Sequence, residues 1–306
     1  MTNPKARSSR AIALGAALAC SATWPGLAGA ADAAELFYER ALIGAAGARC
    51  NLFDSSVAAG LAASTRQARG AALRAGTEPD ALEAAEARAR ARGSSIPCGS
   101  PDLAVAAERV RAAFSGYARV GAMDFPGGDR TWRAVRSAPS RVGASWRLSQ
   151  AAAAPKGAVV FGIAAGEDRA ESLTAVAGWP GALAASSARL VMRDPAKAGA
   201  PYLDRRARGL AAKAPPRSAA RVFLASARAG APLQLLPPGA GAGAAFRFPA
   251  AAAQALQALD PREAVLLELV YPTLQGERVE SVPIEVGDFA AAVAFLSART
   301  PGLAAR

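Results

Sequence analysis

The side chains most often used in catalysis are scarce in this chain. Its 306 residues include no histidine, which excludes Ser-His and Cys-His catalysis and every metal site that uses an imidazole ligand. The sequence also disfavours a serine-lysine hydrolase, which needs a buried lysine beside the nucleophile. The lysines beyond the first 30 residues all lie close to proline or glycine in predicted loops, and they are Lys156, Lys197 and Lys213.

Carboxylates are the remaining catalytic candidates. They occur as Glu167, Asp168 and Glu171, as Asp194 and Asp204, and as Asp260 with Glu263. Two carboxylates at a fixed separation can cleave a glycosidic bond, and the tryptophans Trp132, Trp146 and Trp179 could stack on a sugar. The turn residues around the carboxylates indicate solvated loops, and the tryptophans near predicted strands indicate core packing. We therefore predict no catalytic residue, with a carboxylate-dependent hydrolase of cell-wall carbohydrate as the alternative.

No segment has the pattern of a cofactor site. The glycine-rich stretch 239–243 precedes a predicted strand and not a helix whose N-terminus would hold a phosphate. We predict no cofactor and no metal.

The best binding candidate in the sequence is a short cationic run. Tyr202, Arg205, Arg206 and Arg208 lie within seven positions, in a segment (196–216) whose composition predicts a long surface loop. Guanidinium groups beside an aromatic ring suit an anionic partner, although a solvated charge run is the simpler interpretation. The net charge of +12 comes mainly from dispersed arginines not interleaved with aromatics, so we expect no nucleic-acid partner.

The first 30 residues predict export. Basic residues precede an apolar run from 11 to 19, and Ala28-Gly29-Ala30 forms a small-x-small cleavage signature. No other stretch has the length and apolarity of a membrane-spanning helix. We interpret residues 1–30 as a signal peptide and expect a periplasmic or secreted protein, bound to an envelope component or a small ligand.

The three cysteines fit an oxidising compartment. Cys20 would leave with the signal peptide, and Cys50 and Cys98 would then form a disulfide. In an alternative interpretation Cys20 carries a lipid anchor, since residues 17–20 resemble a bacterial lipobox.

The residues up to 123 predict four helices. Their expected ranges are 33–46, 55–75, from the turn 77–80 to near Gly93, and from Pro101 onward, where Ser100 is a suitable N-cap. If the second and third helices form an antiparallel hairpin, Cys50 and Cys98 lie at the same end of it. We therefore predict a disulfide-stapled four-helix bundle over 31–123.

Beyond a turn-rich boundary at 124–129, the periodicity changes to that of strands. We predict an α+β fold, whose second domain (130–306) is a mixed or antiparallel β-sheet with packed helices at 250–259 and 289–299. The expected strands are 145–150, 158–163, 172–177, 188–192, 221–225, 233–236, 244–248, 265–271 and 279–286.

One C-terminal stretch carries a family resemblance. Val286-Gly287-Asp288-Phe289, followed by alanines, resembles the end of the invasion-associated locus B family of secreted bacterial proteins. The resemblance implies a secreted, β-rich domain. That family has cysteines in its β domain and this chain has none after Cys98, so no functional residue is carried over.

The export hypothesis makes a direct prediction. Mass spectrometry of protein isolated from its native envelope should find a chain that begins near Ala31 and has no free thiol at Cys50 or Cys98. An intact Met1 terminus with both thiols free would contradict it.

Overall fold

The computed structural model describes residues 30–136, 143–155, 157–166, 170–179, 184–203 and 209–298. Within these ranges the chain has an α+β fold with six α-helices and two antiparallel sheets. The predicted signal peptide and Cys20 lie outside the described residues.

Four helices come first in the chain, as predicted. They are α1 (Ala30–Cys50), α2 (Ser55–Arg74), α3 (Pro79–Ser95) and α4 (Pro101–Phe114). The Asp54 carboxylate caps α2 by accepting hydrogen bonds from the backbone of Ser56 (2.8 Å) and Val57 (2.9 Å). Proline occupies the first position of α3 and α4, where its missing N–H costs nothing.

The second and third helices are antiparallel, as the predicted hairpin requires, but they do not pack closely against each other. α1 packs against both α2 and α3, while α2 and α3 share few contacts with each other. The close approach of α3 to α1 depends on Gly93, because a Cβ atom there would lie 2.9 Å from the Ala45 Cβ and from the Leu42 carbonyl oxygen. Further along both helices, the loop after α3 is bonded to the last residue of α1. α3 therefore runs parallel to α1, and α2, which short turns join to both, runs antiparallel to them.

The predicted disulfide between Cys50 and Cys98 is confirmed. It joins the last residue of α1 to the loop after α3, and the two cysteines are 48 positions apart in the sequence. Closing a loop of that size removes on the order of 4 kcal/mol of chain entropy from the unfolded state. The bond therefore holds together the C-terminal ends of two helices.

The strands form two sheets. Their strands are β1 (Ala122–Pro126), β2 (Thr131–Val135), β3 (Ser145–Ala154), β4 (Gly157–Ala165), β5 (Glu171–Trp179), β6 (Ser187–Arg193), β7 (Ala220–Leu224), β8 (Ala227–Gly230), β9 (Ala242–Arg247), β10 (Ala264–Thr273) and β11 (Gly276–Glu285). The first sheet has the order β1-β2-β3-β4-β5-β9-β8 and the second the order β11-β10-β6-β7, with every described pairing antiparallel.

Two local predictions were wrong, and the strands β1, β2 and β8 were not predicted. The turn-rich segment 124–129 is part of the β1–β2 hairpin and not a linker. Residues 233–236 form a 3-10 turn (Leu233–Leu235) because Pro232 and Pro237 flank them and remove backbone donors that a strand would need. The edge strand β8 was missed, since all four of its residues are exposed and lack the strand pattern. The division into two domains stays a prediction.

The main core lies between the two sheets and two further helices, α5 (Ala250–Gln257) and α6 (Phe289–Ser297). Trp132 is its largest buried side chain, with its ring 5.0 Å from that of Phe289. The buried Gln150 of β3 joins the sheets, because its amide accepts from the Glu285 backbone N–H (2.9 Å) and donates to the Glu285 carbonyl oxygen (3.2 Å).

The Glu285 side chain fixes the β1–β2 hairpin onto the second sheet. Its buried carboxylate accepts hydrogen bonds from three successive backbone N–H groups, those of Gly128, Asp129 and Arg130. Gly127 is required beside it, since a Cβ atom there would lie 2.6 Å from the carboxylate. The charge of this buried group is thus stabilised by aligned backbone donors.

We expect Glu285→Gln to destabilise the fold by about 3 kcal/mol, because the amide loses the charge and turns an N–H group toward backbone donors. Urea denaturation measures the loss. The matched control is Glu277→Gln, at an exposed ion pair with Arg189, which should cost less than about 1 kcal/mol. Equal losses for the two variants would contradict the structural role of Glu285.

Candidate functional site

A groove of about 480 Å³ opens between α1, α2 and α3. Its volume falls in the range typical of ligand-binding pockets in proteins, roughly 300 to 1,000 Å³. The buried side chains of Phe37 and Leu61 line it together with small residues. We take this groove as the candidate site.

Small residues keep the groove open. On α1 the lining residues Ala41, Gly44, Ala45 and Ala48 recur at the spacing of one helix face. On α2 the lining face carries Ala58 and Ala62 around Leu61. These side chains fill little of the volume between the backbones of α1 and α2. A space therefore remains that larger residues would fill.

One end of the groove is apolar. The turn between α1 and α2 supplies Phe53, whose ring lies directly over Gly47 and leaves no room for a Cβ atom there. Asn51 makes this turn possible by adopting a positive φ of 52° at the end of α1, and Leu52 then donates to the Gly47 carbonyl oxygen (3.0 Å).

The other end of the groove is cationic. Arg66 and Arg69 project from the C-terminal half of α2, and Arg40 lies on α1. Arg40 donates to the Ser64 carbonyl oxygen (2.8 Å). Within the described part of the chain, the Arg66 guanidinium makes one long hydrogen bond to the Ala62 carbonyl oxygen (3.4 Å), and the Arg69 guanidinium makes no hydrogen bond or ion pair.

The α3 side of the groove adds little net charge, because Glu86 and Arg90 form an ion pair one helical turn apart. The excess positive charge therefore belongs to Arg66 and Arg69. Since α1 and α2 are antiparallel, these arginines lie at the opposite end from Phe53.

A second cavity of about 160 Å³ adjoins α2 on the side of the sheets. Arg66 and Arg69 line both cavities, and the far wall comes from the start of α6 and the segment before β10. The two arginines therefore stand between two concave surfaces.

Asp288 lines the second cavity and connects the helices to the sheets. Its carboxylate is 1% exposed and receives two hydrogen bonds from Arg74 of α2, at 2.7 and 3.1 Å. Burial raises the pKa of Asp288, while Arg74 opposes that rise. Gly70 allows the contact, because a Cβ atom there would collide with the carboxylate.

The residues predicted to contact an anionic partner are only partly described. Tyr202 is 46% exposed, so its ring is accessible. Arg205, Arg206 and Arg208 lie outside the described residues. The binding role of this cluster stays a prediction.

The candidate catalytic carboxylates are held by arginines wherever the structure describes them. Glu171 pairs with Arg147, Asp194 with Arg221, Asp260 with Arg262 and Glu263 with Arg193. Glu167, Asp168 and Asp204 lie outside the described residues, as does Lys156. Among the described lining residues each cavity has one carboxylate, Glu86 or Asp288, whereas glycoside cleavage needs two.

Trp132 cannot take part in a sugar-stacking platform. Its ring is fully buried and its indole N–H donates to the Val286 carbonyl oxygen (2.9 Å). Trp146 is partly buried and donates to the Leu235 carbonyl oxygen (3.2 Å). The interpretation of Trp132 as a core residue is confirmed.

Sequence reasoning missed the groove and its arginines. Arg66 and Arg69 follow Ala58, Leu61, Ala62 and Thr65 at helical spacing, which places all of them on one face of α2. That face changes from apolar to cationic along its length. This change is visible in the sequence when each arginine is assigned to a helix face. Only the structure shows that α1 leaves this face of α2 uncovered.

No family model, curated protein or solved structure matches this chain. The resemblance to the invasion-associated locus B family therefore stays a prediction. Across the described ranges, none of the helices is long and apolar enough to cross a membrane.

The Arg74–Asp288 pair predicts a pH-dependent stability. Because the folded-state pKa of Asp288 lies above the unfolded value, its contribution to the free energy of unfolding falls as pH rises between the two values. Arg74→Ala should raise the folded-state pKa of Asp288 further, because Arg74 opposes that rise. The variant should lower the free energy of unfolding by about 3 kcal/mol at pH 7.5 and by less at pH 5.

Urea denaturation at the two pH values measures the effect. Arg133→Ala, which removes an exposed pair with Asp124, is the control and should cost less than about 1 kcal/mol at both. A loss for Arg74→Ala that does not depend on pH would show that Asp288 is not the group responsible.

Proposed function

We propose that this chain is an exported, non-enzymatic envelope protein that binds a small ligand with an apolar body in the groove between α1, α2 and α3. The observation that supports the proposal is the groove itself, with small residues along its walls and buried Phe37 and Leu61 among its lining residues. Enclosing apolar surface in such a space removes it from water, which is the main driving force for binding.

Two features support the location. The first 30 residues have the pattern of a cleavable signal peptide, and the Cys50–Cys98 disulfide suits an oxidising compartment. Removal of the leader would leave a chain that begins at α1. A lipid anchor at Cys20 is the alternative mode of retention.

We propose that the two parts of the chain have different roles. The helices of 31–123 act as a disulfide-stapled bundle that contains the binding groove, and the α+β part from 130 onward supports it. The Arg74–Asp288 pair and the packing of α2 on α6 provide the connection between them. In this account the buried carboxylates serve the structure and carry out no reaction.

A substitution that fills the groove tests the proposal. Ala62 is exposed and lines the groove, so Ala62→Leu should place a larger side chain in the space without disturbing the core. The neutral dye N-phenyl-1-naphthylamine should gain fluorescence on binding the natural chain and lose most of that gain with Ala62→Leu.

The matched control is Ala84→Leu, an exposed alanine of α3 that does not line the groove. It should bind the dye as the natural chain does. Equal dye binding by all three proteins, or no binding by the natural chain, would refute the groove as the ligand site.

A further inference from the structure

We propose that the ligand of the groove is an anionic single-chain amphiphile, whose acyl chain lies along the small residues and whose acidic head group binds Arg66 and Arg69. This inference rests on the proposed function and adds the class of ligand and its orientation. The lining of the groove changes from apolar to cationic along its length, as an anionic amphiphile requires.

The apolar end of the groove suits a hydrocarbon chain. Between Ala58 and Leu61 on α2, and between Gly44 and Ala48 on α1, the walls have no charged lining residue. Phe53 covers Gly47 at this end. An alkyl chain placed here would exchange water for contact with alanine, glycine and aromatic carbon.

The cationic end suits an anion. Arg66 and Arg69 have no acidic partner among the described residues, and Glu86 on the facing helix is already paired with Arg90. A guanidinium group binds a carboxylate or phosphate through two parallel hydrogen bonds. An anionic head group would therefore give these arginines the counter-charge that the protein does not provide.

The length of the groove fits one extended chain. From Ala58 to Arg69, α2 rises by about 16 Å at 1.5 Å per residue. The groove is bounded on both sides by helices, which favours one chain over the two chains of a bilayer lipid. A neutral amphiphile would leave the arginines unpaired, and a cationic amphiphile would be repelled by them.

Displacement of N-phenyl-1-naphthylamine by three ten-carbon compounds, below their micellar concentrations, tests the class of ligand. Decanoate should bind at least 10-fold more tightly than decanol, and decyltrimethylammonium should bind most weakly. Arg66→Gln combined with Arg69→Gln should weaken decanoate binding by 10-fold or more and leave decanol binding within twofold.

The matched control removes the same charge elsewhere. Arg88→Gln with Arg92→Gln changes two exposed arginines of α3 that do not line the groove, and it should leave decanoate binding within twofold. An equal loss in this control would assign the preference to net charge and overturn the proposal.

The remaining outcomes separate the two claims. If decanol displaces the dye as well as decanoate does, while Ala62→Leu still blocks dye binding, the anionic ligand is refuted and the apolar groove stands. If the dye is insensitive to Ala62→Leu, the proposed function itself fails. Sedimentation with anionic lipid vesicles that is lost in the Arg66/Arg69 variant but unchanged in Ala62→Leu would assign these arginines to a membrane surface and overturn the proposal.

Discussion

The disulfide between Cys50 and Cys98 is the constraint on which the helical layer depends. The buried residues of α3 are Leu82, Ala85, Ala89 and Gly93, which offer little apolar area to hold the helix in place. A covalent bond at the C-terminal ends of α1 and α3 compensates by lowering the entropy of the unfolded chain. Small residues can therefore occupy the helix surfaces, and the same small residues leave the groove open between α1 and α2.

Buried carboxylates perform the second structural task, which is to join separate parts of the chain. Glu285 accepts three backbone N–H groups of the β1–β2 hairpin, and Asp288 receives the guanidinium of Arg74 from α2. Both lie where β11 leads into α6, so this short segment connects the hairpin, both sheets and the helices. A buried acid with a raised pKa often marks a catalytic site, but the contacts of Asp288 with Arg74 explain its burial here.

The sequence-based predictions were most accurate for elements that are determined by neighbouring residues. The prolines that begin α3 and α4 act through neighbouring residues, and both helices were confirmed. Ser100 precedes α4 as predicted, but its side chain makes no capping hydrogen bond. The pairing of Cys50 with Cys98 followed from compartment and count. The strands β1 and β2 were missed because the turn of their hairpin was interpreted as a domain boundary. The strand β8 was missed because its four residues are exposed and lack the strand pattern. The groove was missed because it arises from three helices, and no spacing within one helix indicates which face stays uncovered.

The location of a bound amphiphile tests this account most directly. Decanoate that carries a photoactivatable diazirine near its methyl end would be cross-linked to the protein, and the modified residues would be identified by mass spectrometry after digestion. The account predicts saturable labelling at the apolar end of the groove, around Gly47, Phe53 and Ala58, that excess decanoate abolishes. Labelling confined to the sheets or to the region of Tyr202, or labelling that does not saturate, would contradict it.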